Sequence, residues 1–428
     1  MKKDFLGKLE ERKKAPISIG LIGLGQMGRG FFAQTAYVPY VKVNAICDVD
    51  LQKAIKNLES IGLNIDEISI VNNVSDAESA IANGKIVLTD DSSIVTKIGS
   101  IEIILEATGV PSVAAYNAFS AIQNGKHIVL LTVEADVVVG RILRKMAESA
   151  GVVYTVAYGD EPGVTKELYD SVVSLGFKVI AAGKGKNNPL RFEATPEELA
   201  NEAQTKKMNP RMLCSFVDGT KTAIEMTALS NATGLVPDIR GMHGPECSWN
   251  ELPKVFDLKK NGGILLRPGV VDYCRGIAPG VFVIATTEDM IIREELEYLN
   301  MGNGPNYLFY RPYHLTSLET LVSIYKAVIY GEPTIVPLYK PFSETIAIAK
   351  RDLKTGEVID GIGGFTVYGT IERHDISTQS KFVPISLTEG ATVLKDISKG
   401  SPITFDDVKL KDNLLLNLYR LQEALNFE

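Results

Sequence analysis

Apolar and polar positions along this chain follow two rhythms. Apolar runs of strand length at Ile17–Ile22, Val41–Cys47, 101–109, 127–131 and 151–156 are separated by stretches with helical spacing. That alternation predicts a parallel sheet covered by helices. Residues 26–36, 75–82 and 92–98 are expected to be helical and 85–88 a strand. On this reading, 61–100 is an extra helix–strand–helix unit before the strand at Ile101.

Farther along, 178–180 reads as a strand that gives way to a glycine- and lysine-rich stretch. Asp218 or Thr220 caps a predicted helix that reaches about Asn231. Residues 315–329 have helical periodicity and are expected to pack back on the first sheet. From about 334 the chain turns strand-rich and carries an internal repeat: 352–359 is echoed by 396–403, 44 residues later. Two copies predict a small pseudo-symmetric β-unit. A short amphipathic helix is expected at 413–425. The predicted class is α/β, with an N-terminal dinucleotide-binding domain at 15–158, an α+β domain for catalysis and dimerisation at 159–333, and a small β-rich domain at 334–428.

Composition narrows the options. A chain of 428 residues with 45% apolar and 23% charged residues is an ordinary globular chain of two or three domains. Its formal charge of -7 argues against a nucleic-acid or anionic-membrane partner. Cys47, Cys214, Cys247 and Cys274 show no metal-ligand spacing and read as free thiols in a reducing cytosol. The first fourteen residues, dense in Lys and Glu, lack the apolar run of a signal peptide, and no 18-residue apolar stretch spans a membrane. A cytoplasmic location is therefore expected.

The chemistry starts at Gly23-Leu24-Gly25-Gln26-Met27-Gly28, between a strand and a helix. There G-x-G-x-x-G has a mechanism. Gly23 permits the tight turn, Gly25 lets the backbone approach a pyrophosphate, and Gly28 lets helix and strand pack closely. The helix N-terminus offers free N–H groups to phosphates. Asp48 ends the second strand, 20 residues after Gly28, where a carboxylate accepts hydrogen bonds from the adenosine ribose. It repels the 2′-phosphate of NADP, so NAD is favoured over NADP; the alternative is that Asp48 caps the next helix. Thr108, Gly109 and Glu134, after later strands, complete the expected cofactor set.

Polar clusters follow later strands, where open α/β sheets bind ligands. Glu134 and Asp136 are either ligand groups or first-turn residues of a helix. Tyr158-Gly159-Asp160-Glu161 puts two more carboxylates at a strand end. Gly183-Lys184-Gly185-Lys186 places two lysines two residues apart, on one face of a strand end, where they converge on anionic oxygens or protonate an alkoxide. A solvated loop is the alternative. Lys221 either lies in a substrate cleft oriented by Asp218 or forms a surface pair with Glu225, four residues on. Arg311 and His314 are candidate substrate contacts, with structural pairing as the alternative. A divalent metal on Glu134, Asp160 or Glu161 is compatible with the sequence, but no motif signals one.

Taken together, the GxGxxG at Gly23, VEAD at Val133, GDEPG at Gly159, GKGK at Gly183, DGTKTAIEM at Asp218 and RPYHL at Arg311 resemble homoserine-dehydrogenase-like oxidoreductases with a C-terminal SAF domain. The resemblance covers nearly the whole chain. It implies that the segment from Asp352 onward is a SAF (β-clip) module. The family includes 1-deoxy-D-xylulose-5-phosphate reductoisomerase-like enzymes, which implies an NADPH-dependent rearrangement and reduction as one alternative. Homoserine dehydrogenases pair a catalytic Lys with an Asp, a role that the resemblance offers to Lys221 with Asp218, or to Lys184 or Lys186.

The expected function is hydride transfer between NAD(P) and a small hydroxy or keto compound. Lys184, Lys186 and Lys221 stabilise or protonate the alkoxide, while Asp160 and Asp218 orient lysines or take a proton. A homodimer or homotetramer is expected. A non-catalytic dinucleotide-binding sensor is the other alternative.

Overall fold

A computed structural model describes residues 4–425. Residues 1–3 and 426–428, the extreme ends of the charged leader and of the 334–428 segment, lie outside the described residues. The chain forms two compact units. One runs up to Asp160 and adds Leu315–Val336; the other comprises Glu161–His314 and the residues from Pro337 on. Among the described residues, no helix is long and apolar enough to cross a membrane.

The first unit is built on β1 (Ile17–Ile22), β2 (Val41–Cys47), β3 (Ile68–Ile70), β4 (Ile86–Thr89), β5 (Ile103–Glu106), β6 (His127–Leu130) and β7 (Tyr154–Val156). They form one parallel sheet in the order β3-β4-β2-β1-β5-β6-β7. Every residue of β1 is buried, Ser18 included, as expected of a strand covered on both faces. Leaving out β3, the order is that of a doubly wound dinucleotide-binding sheet, with its switch point between β1 and β5. This corrects the reading of 61–100 as an extra unit. β4 lies beside β2 as the regular third strand, and the true addition is the half-exposed edge strand β3.

Two peripheral segments complete the core of this unit. Helix Phe5–Arg12, inside the charged leader, is capped by the Asp4 carboxylate on the Gly7 N–H at 2.8 Å and buries Leu9. The expected helix at 315–329 is a 3₁₀ turn at Thr316–Glu319 followed by helical turns from Thr320 to Tyr330. Its Leu321, Ile324 and Tyr325 join Ile19, Leu21, Phe31 and Leu105 in one core.

The second unit has a mixed sheet of β8 (Lys178–Lys186), β9 (Val236–Pro237), β10 (Val270–Arg275), β11 (Val281–Thr286) and β12 (Asn306–Arg311), ordered β12-β11-β8-β10-β9. Central β8 is parallel to β10 and antiparallel to β11. Helices Glu161–Ser174 and Thr220–Thr233 cover one face, with Val172, Ala182, Ala223 and Met226 in their core. Leu252, Phe256 and Leu265 cover the other.

Antiparallel β13 (Ser343–Ala349) and β14 (Val367–Arg373) belong to this unit, because they fasten to helix Thr220–Thr233. The Gly369 N–H donates to the Thr220 hydroxyl at 2.8 Å, and the Thr227 and Thr345 hydroxyls bond at 2.8 Å. The sequence repeat is visible as structure. Leu353 and Ile397, equivalent positions of its two copies, exchange both backbone hydrogen bonds at 2.9 Å. The last helix runs Leu414–Ala424.

Candidate active site

The dinucleotide loops lie at the carboxyl ends of β1, β2 and β5. Gly23 has φ +95°, and a Cβ there would meet the Ala107 carbonyl carbon and oxygen at 2.7 Å, so the turn after β1 is wedged against the turn after β5. A Cβ on Gly28 would fall 2.0 Å from the Gly23 carbonyl oxygen. Its absence therefore closes the loop on itself more than it lets helix approach strand. At Gly25 a Cβ would meet nothing within 4 Å. Gly25, Gln26 and Met27 open helix Gln26–Thr35 with no side-chain cap, leaving its first N–H groups without a capping side chain in front of open space. That is the cradle a pyrophosphate requires.

Asp48 does not cap the next helix; Asp50 does, on the Lys53 N–H at 3.0 Å. Asp48 Oδ2 instead accepts the Leu24 N–H at 2.8 Å, which ties the acidic residue to the glycine turn. After β5, the Thr108 N–H donates to Glu106 Oε1 at 3.0 Å and the Gly109 N–H donates to the Thr132 hydroxyl at 2.9 Å. Glu106, fully buried, was not among the sequence candidates; burial pushes its pKa up to about 7 against the pull of the Thr108 hydrogen bonds. Glu134 and Asp136 are both first-turn residues of helix Val133–Ala150, and both are buried. Asp136 is structural: the Tyr154 hydroxyl donates to it at 2.8 Å.

In the second unit the lysine motif is not a loop. β8 continues through Lys186, and the glycines explain how. A Cβ on Gly183 would sit 1.7 Å from the Asp272 carbonyl oxygen, and one on Gly185 would sit 2.5 Å from the Ala278 backbone. Neighbouring chain occupies the glycine face, so Lys184 and Lys186 share the opposite, helix-covered face.

Lys184 is 6% exposed and Lys186 5%. The Lys184 ammonium bridges Glu161, from the start of helix Glu161–Ser174, and Glu225, from helix Thr220–Thr233. Burial alone would lower its pKa, but the two carboxylates outweigh burial and raise it. His314 Nε2 stands 3.4 Å from Glu161 Oε1, so His314 joins this cluster, whereas Arg311 stacks its guanidinium 4.2 Å above the Tyr313 ring. Lys221, 9% exposed and one helical turn before Glu225, adds its charge to the carboxylate. The expected surface pair is thus part of a buried cluster. Glu161 and Glu225 are the cluster residues that sequence reasoning left out of its catalytic set, although the GDEPG and DGTKTAIEM motifs contain them.

Lys186 differs from Lys184. Its Nζ donates to the Phe216 carbonyl at 2.6 Å, and among the described residues no carboxylate pairs with it. Burial first, then the Lys184 charge, brings its pKa down to about 8. An ammonium has three protons, so this buried lysine keeps donors beyond the one that Phe216 takes.

Asp218 has partners that its own motif does not reveal. It is wholly buried, its Oδ1 accepts the Thr220 N–H at 2.9 Å, and its Oδ2 pairs with Lys350 at 2.8 Å. Its carboxylate fastens β13 and the following turn to the helices. Asp160 ends the first unit, 8% exposed, immediately before Glu161. Of the carboxylates considered for a metal, Asp160 and Glu161 bring ligand atoms, with one from His314, to within 4.8 Å of one another, and Glu161 also pairs with Lys184. Cys247 and Cys274, far apart in sequence, meet with their sulfurs 3.3 Å apart as thiols.

Residues 159–320 match the family model described as oxidoreductase DRL, catalytic domain, and residues 344–409 match the SAF domain. These two segments are thus similar, in that order, to an oxidoreductase catalytic domain and a SAF domain. Comparison with curated proteins finds no match. Among solved structures, a probable dehydrogenase from Thermotoga maritima is 15% identical, with 75% of this chain and 91% of that chain covered and a TM-score of 0.42. Scyllo-inositol dehydrogenase from Lactobacillus casei, solved with NAD(H) and scyllo-inositol, is 13% identical, with 69% and 76% covered and a TM-score of 0.38.

Proposed function

We propose that this chain is a nicotinamide-dependent dehydrogenase or reductase. Its substrate is a small polar hydroxy or keto compound that is sugar-, polyol- or amino-acid-like. The observation that carries the reading is Lys186: a buried lysine with spare donors and a pKa near 8, inside the segment that matches an oxidoreductase catalytic domain. A group with that pKa gives or takes a proton near neutral pH, which interconverting a carbonyl and an alcohol requires.

The loops of the first unit fit a dinucleotide. Gly23, Gly25, Gln26, Met27 and Gly28 would hold its pyrophosphate, and Asp48 its ribose, with Thr108, Gly109 and Glu134 nearer the nicotinamide. Asp48 favours NAD over NADP. When bound, the cofactor supplies or accepts the hydride. The chain's own groups manage the proton and the charge. Lys186 donates to the substrate oxygen during reduction and takes the proton back during oxidation. Lys184, kept protonated by Glu161 and Glu225, and Lys221 hold positive charge beside it. His314 and Arg311 bind the substrate's remaining oxygens, and Asp160 serves as a proton acceptor. A division at 15–158, 159–333 and 334–428, in a cytoplasmic homodimer or homotetramer, completes the reading.

The test uses the purified full chain with NADH or NADPH and a panel of sugars, polyols, hydroxy acids and amino alcohols with their ketones. Nicotinamide absorbance is followed with and without Mg²⁺ or Mn²⁺. Turnover that is lost in Lys186→Met supports the reading. Cofactor binding with no turnover on any class would point to a sensor. Metal-dependent NADPH oxidation with 1-deoxy-D-xylulose 5-phosphate would replace the dehydrogenase with a reductoisomerase.

A further inference from the structure

The second unit has a concave site that shares no residue with the lysine cluster. A cavity of about 300 Å³ lies where the turn after β9 meets the end of β14. Three arginines, Arg240, Arg267 and Arg373, and two buried carboxylates, Asp238 and Glu372, line it. One wall belongs to the segment before residue 320 and the other to the SAF segment, so the site exists only when both are in place.

The charges are unevenly used. Glu372 Oε2 accepts Arg240 Nε at 2.7 Å, and Arg373 pairs with Asp375. Asp238 Oδ2 accepts the Leu266 N–H at 2.8 Å and meets His243 Nε2 at 2.9 Å. Among the described residues, buried Asp238 Oδ1 accepts no hydrogen bond; Arg267 Nε stands 3.6 Å away. Among the described residues, Arg240 hydrogen-bonds through its Nε alone and stacks 5.1 Å over the Phe382 ring, and Arg267 makes that long ion pair alone. A buried acceptor without a donor calls for an explanation. Here it lines the same cavity as two guanidiniums with forks to spare, the geometry that binds carboxylate or phosphate. Both arginine side chains are 43–44% exposed, so a solute reaches them from solvent.

We propose that this cavity binds a small oxyanion bearing a neighbouring hydroxyl. The oxyanion, carboxylate or phosphate, lies against Arg240 and Arg267, and the hydroxyl donates to Asp238 Oδ1. Ile239 and Ile376 flank the carbon skeleton. The volume suits a metabolite, not a polymer.

Isothermal titration of the full chain with L-malate, succinate, sn-glycerol 3-phosphate and inorganic phosphate tests this. Malate or glycerol phosphate is expected to bind saturably, and about tenfold more tightly than its partner lacking the hydroxyl, the worth of one hydrogen bond to a charged group. Carboxylate and phosphate sources are told apart by which pair shows the effect. Arg267→Gln and Arg240→Gln, both at exposed side chains, are expected to weaken binding about tenfold or more. Lys186→Met leaves it unchanged, which separates this site from the proposed active site. No saturable binding by any of the four, binding that survives both arginine substitutions, or binding lost in Lys186→Met would overturn the proposal.

Discussion

The Lys350 ammonium lies 2.8 Å from Asp218 Oδ2, with side chains 2% and 0% exposed. The same ammonium donates to the carbonyls of Ala194 and Gly364, each at 2.8 Å. Asp218 ends the helix whose Phe216 carbonyl holds Lys186, so the clamp on β13 and the proposed acid–base lysine share one short segment. Lys350→Met leaves a buried carboxylate without its cation, a change that typically costs about 3–5 kcal/mol. Denaturant unfolding should show that loss. Adding Asp218→Asn, which retains the acceptor for the Thr220 N–H, should restore part of it. Equal stability of wild type and Lys350→Met would show that the pair is not formed.

Two glycines make opposite predictions. Gly183→Ala places a methyl group against the Asp272 carbonyl inside the sheet. Overpacking of that kind destabilises by about 1–3 kcal/mol, visible as a lower Tm. Gly25→Ala meets no protein atom and has φ -70°, so its Tm should not change. Its methyl group instead projects where the pyrophosphate belongs, and NADH affinity, read by nicotinamide fluorescence, should fall about tenfold, or about 1.4 kcal/mol. Gly25→Ala with undiminished NADH affinity would remove the loop from the cofactor site.

Much of the first unit could be read locally. β1, the glycine turn, helix Gln26–Thr35 and Asp48 are contiguous or nearly so, and short-range rules govern each. The second unit resisted for a physical reason. The alternation of Gly and Lys reads as a strand end but leaves a loop open as the alternative, because glycine weakens a strand. Gly183 is required by a carbonyl on β10, which local pattern cannot reveal. The partners of Lys184 come from two helices, 23 and 41 residues away. The tempting i,i+4 pair of Lys221 and Glu225 hid Glu225's principal partner. Asp218's partner Lys350 was out of reach of its own motif, because it lies in the SAF segment. Conversely, the repeat at 352 and 396 was legible, because its copies pair with each other.

Asp136 makes a stability prediction. Burial holds its pKa up at about 7, against an ordinary 3.8. Between those values the folded state keeps a proton that the unfolded chain has released, so this group's contribution to stability declines as pH rises from about 4 to 7. Asp136→Asn keeps the shape and the acceptor for Tyr154 but cannot ionise. Its Tm should match or fall below wild type near pH 4 and gain on it by pH 8. Parallel Tm–pH curves for the two proteins would show that the carboxyl does not titrate in this range.

Lys186 sets the expected pH dependence of turnover. Its pKa, brought down to about 8 by burial and by Lys184, divides two protonation states of opposite use. Reduction needs the ammonium as proton donor, so its kcat should decline as pH rises through about 8. Oxidation needs the free amine as acceptor, so its kcat should rise through the same value. Lys186→Met should remove both limbs and lower kcat by about 10²–10⁴, the usual worth of a positioned acid or base. Cofactor affinity should change little, because the dinucleotide loops belong to other elements. Stability shifts in the same region with a definite sign. The folded state gives up the Lys186 proton near 8 and the unfolded chain near the ordinary 10.5, so this group's contribution rises with pH between those values. A kcat profile that keeps its inflection near 8 in Lys186→Met would assign the proton to another residue of the cluster, with His314 and Lys221 next to be substituted.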